Sequence, residues 1–258
     1  SDFLHATTFC DTNDLPAKTV IVERVEFGSA QRDLYESVRL TMHDKVVAAL
    51  AEKGLARSRI VVLDALLKMR QACCDPRLVK LARKPAGRAG SAKLERLMEI
   101  VTELLAEGRR ILIFSQFTSL LALLRNRLDE QGKVYEYLDG KTTNREGRVD
   151  RFQNDPNVKF FLISLKAGGV GLNLTAADYV FILDPWWNPA VEAQAIDRAH
   201  RIGQDKKVFA YRFVSGESIE ERIADLQESK RKLADSIVTG SDSVIRDLTK
   251  EDLEYLFK

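Results

Sequence analysis

Two arginines three residues apart, Arg198 and Arg201, are the side chains in this chain best suited to handling an anion. A guanidinium stays charged, and its planar fork matches two oxygens of a phosphoryl group. Gln194 precedes them, so on a continuous helix the three stand at i, i+4 and i+7, which is one face. Ala195, Ala199 and Ile202 fall off that row, and the pattern has them packing inward. The plain alternative is a solvated stripe, with Asp197 and Arg201 paired at i, i+4 for a few tenths of a kcal/mol. A second candidate is "ISLKAGGVGLNLT", where Gly168, Gly169 and Gly171 let the backbone reach positive φ and approach a ligand. Leu174 stands where the third glycine of a dinucleotide fingerprint would fall, which argues against that class. The chain has no G-x-x-x-x-G-K-[ST] phosphate loop either. On its own the loop reads equally well as a tight strand-to-helix turn.

Both segments need elements to hold them. "FILDPWWNP" ends an apolar strand in an acidic residue and two large rings, Trp186 and Trp187, that could simply fill the sheet edge. Asn188 and Pro189 then suit the cap and first turn of the helix that follows. Further apolar runs, "RILIFS", "VYEYLDG", "VKFFLIS" and "KVFAYRFV", alternate with helical patterns that close on Gly108 and Gly132. Thr143 and Glu146 spell a capping box before a helix running to Phe152. Strands this apolar need both faces covered, and their alternation with helices predicts a parallel α/β sheet. Ligands of such sheets bind at the carboxyl ends of the strands, where the informative residues fall.

Upstream, "TVIVERVEF" alternates as a strand and residues from Ser29 to about Lys53 turn helical. "IVVLDALLKMRQACC" is a second helix that should stop before Pro76. "ARKPAGRAGS" is the best internal boundary. Downstream, Glu217 to Val238 reads as a long charged helix and "TKEDLEYLF" as a short one. The net charge of +2 among 30% charged residues gives no bulk basic signal, so any nucleic-acid site must be a local patch. Three cysteines, with Cys73 and Cys74 adjacent in an apolar helix, read as buried free thiols rather than a disulfide framework or a metal site. No stretch reaches membrane-spanning length, no signal peptide is recognisable, and "SDFLHATTF" reads as an incoming segment of a longer protein.

The order of the motifs carries more than any one of them. "ILIFSQFT", "YLDGKTTNREGRVDRFQ", "LISLKAGGVGLNLTAAD", "FILDPWWNP" and "QAIDRAHRIGQ" follow one another as in the SWI/SNF family of helicase-like, DNA-dependent ATPases. From Lys93 to Val214 the chain resembles the second RecA-like lobe of that family, most nearly its prokaryotic members.

The resemblance implies a RecA-like parallel sheet with helices on both faces, plus a helical protrusion and a C-terminal bracing helix. It divides the chain into an incoming linker and strand (1–28), protrusion (29–84), flexible loop (85–92), lobe (93–215) and bracing helices (216–258). It implies arginine fingers at Arg198 and Arg201, with Gln194 and Gln204 supporting them and Gly169 near an interlobe nucleotide. Lys166, Ala167, Gly168 and Asn173 are expected near the phosphates of a DNA strand. Ser115, Gln116 and Gly140 are expected at the DNA backbone, and Trp187 in a segment linking the DNA and nucleotide sites. ATP and Mg²⁺ are expected mainly on a first RecA-like lobe, since neither a phosphate loop nor an Asp-Glu-x-His box stands in this chain. On this reading the chain is half of a double-stranded DNA translocase and has no ATP hydrolysis of its own. The expected setting is intracellular, a bacterial cytoplasm or nucleoid, or a nucleus if the source is eukaryotic. The alternative is a non-catalytic DNA-binding or protein-interaction module of the same fold.

Overall fold

A computed structural model describes residues 6–9, 15–80, 90–167, 171–185, 188–234 and 248–258. Two compact units divide the chain, residues 1–24 with 96–214 and residues 25–95 with 215–258.

The first unit is built on a seven-stranded sheet. Its strands are β1 (Ala6–Phe9), β2 (Lys18–Val25), β3 (Ile111–Ser115), β4 (Tyr135–Leu138), β5 (Phe160–Ser164), β6 (Tyr179–Ile182) and β7 (Val208–Ser215). Their order across the sheet is β1-β2-β7-β6-β3-β5-β4. From β6 to β4 every neighbouring pair is parallel, as is β6 with β7. The Val208 N–H donates to the Ala17 carbonyl and the Gly216 N–H to the Val25 carbonyl, so β2 and β7 also advance together. β1 runs antiparallel to β2 at the edge, an addition to the sheet that the opening residues did not announce.

Every residue of β3 and β5 is buried, the mark of strands covered on both faces. Four helices alternate with these strands, α2 (Ala92–Ala106), α3 (Thr118–Glu130), α4 (Arg145–Asn154) and α5 (Pro189–Ile196); α3 packs on β3 and β5, α4 on β4, and Ala195 and Ile196 of α5 join the buried core. On α3, Leu120, Leu121, Leu124 and Leu128 form the buried stripe that four leucines at helical spacing dictate. Gly108 and Gly132 follow α2 and α3 at φ 73° and 62°, the left-handed geometry that ends helices on glycine. The helix α4 departs from the sequence reading. Asn144, not Thr143, caps it: the Asn144 side chain accepts from the Gly147 N–H at 3.0 Å. Two adjacent residues could each cap, and the one whose side chain reaches the turn sets the start at Arg145.

The second unit is helical. α1 (Ser29–Cys74) is unbroken by length but kinked at Gly54, where φ is 70°, so the two expected helices abut at one glycine. α6 (Ile219–Ala234) starts two residues later than expected, because Glu217 lies at φ 49° and Ser218 caps with its hydroxyl on the Glu220 N–H. Its expected residues 235–238 lie outside the described residues. α7 (Lys250–Phe257) carries a complete capping box between Thr249 and Asp252. Cys73 and Cys74 are buried and, among the described residues, form no disulfide. Beside them Lys93 and Glu220, both fully buried, meet at 2.6 Å. Among the described residues, no helix is long and apolar enough to cross a membrane.

Candidate functional site

The carboxyl ends of β3, β5 and β6 form one edge, and because β3 sits between β5 and β6 the chain changes direction across it. Backbone hydrogen bonds fasten the three loops leaving that edge. The Leu165 N–H donates to the Ser115 carbonyl at 2.9 Å, and the Leu183 N–H donates to the Phe114 carbonyl at 3.0 Å. The fully buried Asp184 accepts from the Gln116 N–H at 3.1 Å. A carboxylate at the end of β6 therefore shapes the loop after β3.

The arginine segment differs from its expected form. α5 opens as foreseen, with the Asn188 side chain accepting from the Ala190 N–H and Pro189 in the first turn. It closes at Ile196, so Arg198 and Arg201 lie beyond the helix rather than in a row along it with Gln194. Bonds reaching back three residues, from the Arg198 N–H to the Ala195 carbonyl and from Ala199 to Ile196, tighten the chain into turns. The inward packing expected of Ile202 fails with the helix, since Ile202 is 87% exposed. Asp197 does not turn to Arg201 either; its carboxylate meets the Lys18 ammonium at 2.9 Å.

What replaces the helix is a set of ties to the loop after β5. The Leu174 N–H donates to the Arg198 carbonyl at 2.9 Å. Arg201, which is exposed, donates through Nη1 to the Gly171 carbonyl at 3.4 Å. Gly171 sits at φ 34°, a conformation that favours glycine. Gln204 is buried, and its amide donates to the carbonyls of Thr175, Ala177 and Ala199 while its oxygen accepts from the Lys206 N–H. Its support for the arginines is thus mechanical, through the backbone. Gln194 is exposed on α5, and Arg198 is half-buried.

The remaining candidates divide by exposure. Lys166, Asn173 and Gly140 are exposed, and a Cβ on Gly140 would meet nothing within 4 Å. Gln116 is half-buried, with its amide nitrogen buried and without a hydrogen-bond partner among the described residues. Ser115 corrects the sequence reading. It is fully buried, and its hydroxyl accepts from the Phe117 N–H at 2.9 Å, so it shapes the turn instead of facing a ligand. The Ala167 methyl belongs to the core, which leaves only its backbone for any contact. Gly168, Gly169 and Trp187 lie outside the described residues.

Sequence reasoning passed over Asp184 as a site residue, although an acid closing an apolar strand was a visible signal. It also passed over Gly171 as the partner of Arg201, which no local spacing reveals. The Arg201 guanidinium and the left-handed backbone turn it meets fit phosphate oxygens. They do not fit a cation, and among the described residues no group of three or more His, Cys, Asp or Glu could hold a metal ion.

Comparison with known proteins adds to this geometry. The model of the helicase conserved C-terminal domain matches residues 92–203. The putative ATP-dependent helicase/translocase YwqA of Bacillus subtilis is 36% identical over 248 residues, covering 95% of this chain and 26% of that protein. The Sulfolobus solfataricus SWI2/SNF2 ATPase C-terminal domain is 32% identical with a TM-score of 0.73, covering 93% of this chain and 97% of that one. The SWI2/SNF2 ATPase core of the same organism, solved in complex with dsDNA, has a TM-score of 0.74 at 32% identity, over 93% of this chain and 49% of that one. The chain spans about a fifth to a quarter of the length of the curated relatives it matches.

Proposed function

This chain belongs to the SWI2/SNF2 ATPase family, as a C-terminal domain of it, and on that premise we propose that it is the second lobe of an ATP-dependent translocase on double-stranded DNA. Arg198 and Arg201 are its contribution to ATP hydrolysis, and the exposed loops after β3 and β5 its contribution to gripping DNA. The observation that carries the reading is the tie between the arginine turn and the glycine loop at the carboxyl edge of the sheet. Arg201 donates to the Gly171 carbonyl, and Arg198 accepts from the Leu174 N–H.

ATP supplies the transferable phosphoryl group and Mg²⁺ neutralises part of its charge, both held mainly by a first RecA-like lobe. Arg201, exposed and already turned toward the glycine loop, offers its remaining N–H groups to phosphate oxygens when such a lobe closes on this one. Arg198, its backbone fixed by Leu174, holds a second positive charge close by. Fixed donors of this kind stabilise charge that develops in a transition state, and an arginine finger contributes roughly 10³ to 10⁵ in rate. Gln194 and Gly169 belong to the same nucleotide-facing group in this proposal. Lys166, Asn173, Gln116, Gly140 and the backbone of Ala167 and Gly168 belong to the DNA-facing group, with Trp187 between the two. Ser115 and Gln204 shape the loops that these groups stand on. A DNA-bound setting, nucleoid or nucleus, follows from the same reading.

The experiment is steady-state ATP turnover, with and without duplex DNA, by the whole protein that contains this chain and by this chain alone. The whole protein turns over ATP faster when DNA is added, and this chain alone stays at background. DNA-stimulated turnover by this chain alone would remove the division of the active site between two lobes. Binding of duplex DNA should weaken steeply with rising salt, because phosphate contacts release counterions.

A further inference from the structure

The arginine turn is fastened on a second side, by residues far away in sequence. The Lys18 ammonium meets the Asp197 carboxylate at 2.9 Å, immediately before Arg198. His200 Nε2 lies 2.7 Å from the Pro16 carbonyl, between Arg198 and Arg201. A carbonyl only accepts, so Nε2 carries the proton in this bond. Between the two, the Ala17 carbonyl accepts from the Val208 N–H at 3.1 Å, which seats residues 16–18 on the sheet beside β7. Three consecutive residues at the start of β2 therefore engage the arginine turn twice, on either side of Arg198, while being anchored themselves.

We infer that Lys18, Asp197 and His200 are positioning residues: they latch the arginine turn to the start of β2 and so set where the Arg198 and Arg201 guanidiniums stand. The need for a latch follows from the local structure. α5 has ended at Ile196, and past it the Arg198 and Ala199 N–H groups reach back three residues and the His200 N–H four, which holds the backbone in turns rather than along a helix. The ties to Leu174, Gly171 and Gln204 hold the turn from the side of the glycine loop. The bond between Lys18 and Asp197 is half-exposed, which makes it a weak source of stability but an adequate restraint on direction. A displacement of about 1 Å in a catalytic group can cost on the order of a hundredfold in rate.

This inference rests on the arginine reading proposed above, so its test has one arm that depends on that reading and one that does not. In the first arm, the whole protein carries Lys18→Ala, Asp197→Ala or His200→Ala, and kcat for ATP is measured with saturating duplex DNA. Each variant should lower kcat by about tenfold to a hundredfold, with the KM for DNA unchanged. Lys18→Ala combined with Asp197→Ala should be no worse than either alone. The charge exchange Lys18→Asp with Asp197→Lys, and His200→Gln, which keeps a donor, should restore most of the rate. In the second arm, amide hydrogen exchange is followed on this chain without nucleotide. Lys18→Ala should speed exchange at Ala199 and His200 and leave β5 and β6 unchanged. Unchanged exchange in Lys18→Ala and His200→Ala alike overturns the latch itself. Faster exchange with wild-type kcat, while Arg201→Lys is slow, overturns positioning and leaves the proposed function standing. Wild-type kcat for both Arg198→Lys and Arg201→Lys sinks the arginine reading, and the latch as a positioner falls with it.

Discussion

The arginine turn of the first unit and the Lys93–Glu220 pair of the second treat charge in opposite ways. Arg201 is exposed, and the partner it reaches is a backbone carbonyl, Gly171, at 3.4 Å. Lys93 and Glu220 are both fully buried, 2.6 Å apart, and Glu220 also accepts from the Ser215 N–H at 3.0 Å. Burial pulls the Lys93 ammonium down, but the Glu220 carboxylate beside it outweighs that and leaves it above the usual lysine range. A buried charge that meets its counter-charge has no electrostatic reach left for a ligand. An exposed guanidinium on a braced backbone keeps that reach. The two regions thus separate charge that is neutralised inside the fold from charge left exposed on a braced backbone.

The largest effect should come from Arg201→Lys, which keeps the charge and removes the planar fork. The kcat of the whole protein with saturating DNA should fall by roughly 10³, the lower range for losing an arginine finger. Thermal stability should move by no more than about 0.5 kcal/mol, as for most surface exchanges. A large loss of stability instead would erase the contrast between the two regions. Lys93→Met should do the reverse. It leaves a carboxylate buried without its counter-ion, at a cost of about 3–5 kcal/mol. The melting temperature of this chain should then fall by about 10 °C. Adding Glu220→Leu should recover much of the loss, since an apolar pair often replaces a buried ion pair neutrally. A single variant that melts like the wild type would show that the pair holds nothing together.

The sequence made the sheet legible because its strands are short apolar runs separated by helices that stop at glycine, as Gly108 and Gly132 do. Motif order made the family legible. The site was less so, for reasons that lie in contacts distant along the chain. "AIDRAHRI" keeps a helical pattern past Ile196, yet Leu174 and Gln204 bind the backbone there and the chain leaves the helix. Asp197 had a local partner in Arg201 at helical spacing, and took Lys18 from the far end of the chain instead. Ser115 follows an apolar strand into a loop, where either burial or exposure suits a serine; its bond to the Phe117 N–H settles the matter. Thr143 and Asn144 are both good caps, and one residue's offset is beyond what spacing resolves.

Gly171→Ala is a finer probe of the exposed region. At φ 34° a side chain is strained, while the added Cβ itself would meet nothing within 4 Å. The cost should therefore be about 1–2 kcal/mol of backbone strain, read as a lower melting temperature of this chain. Because the Gly171 carbonyl receives Arg201, kcat of the whole protein should fall along with it. A stability loss with unchanged kcat would mean that the contact between Arg201 and Gly171 has no part in turnover.

The smallest expected effect belongs to the buried region and appears only in alkali. Burial, and next the Glu220 carboxylate, push the Cys73 thiol well above the usual range. The folded chain therefore keeps this proton at pH values where the unfolded chain gives it up, above about 8.5. From there the unfolded state binds fewer protons, so stability must fall as pH rises. For one thiol the loss at pH 9 is about 0.8 kcal/mol relative to neutral pH. Lys93 does not contribute in this window, because its stabilising proton is lost only above the unfolded lysine value of about 10.4. Urea unfolding of this chain at pH 7.5 and pH 9, repeated with Cys73→Ala, isolates the term. The variant should show a smaller drop between the two pH values, whatever its stability at pH 7.5. Equal drops in both proteins would mean that Cys73 titrates alike in the folded and unfolded chain, and that the buried knot is open enough to admit water.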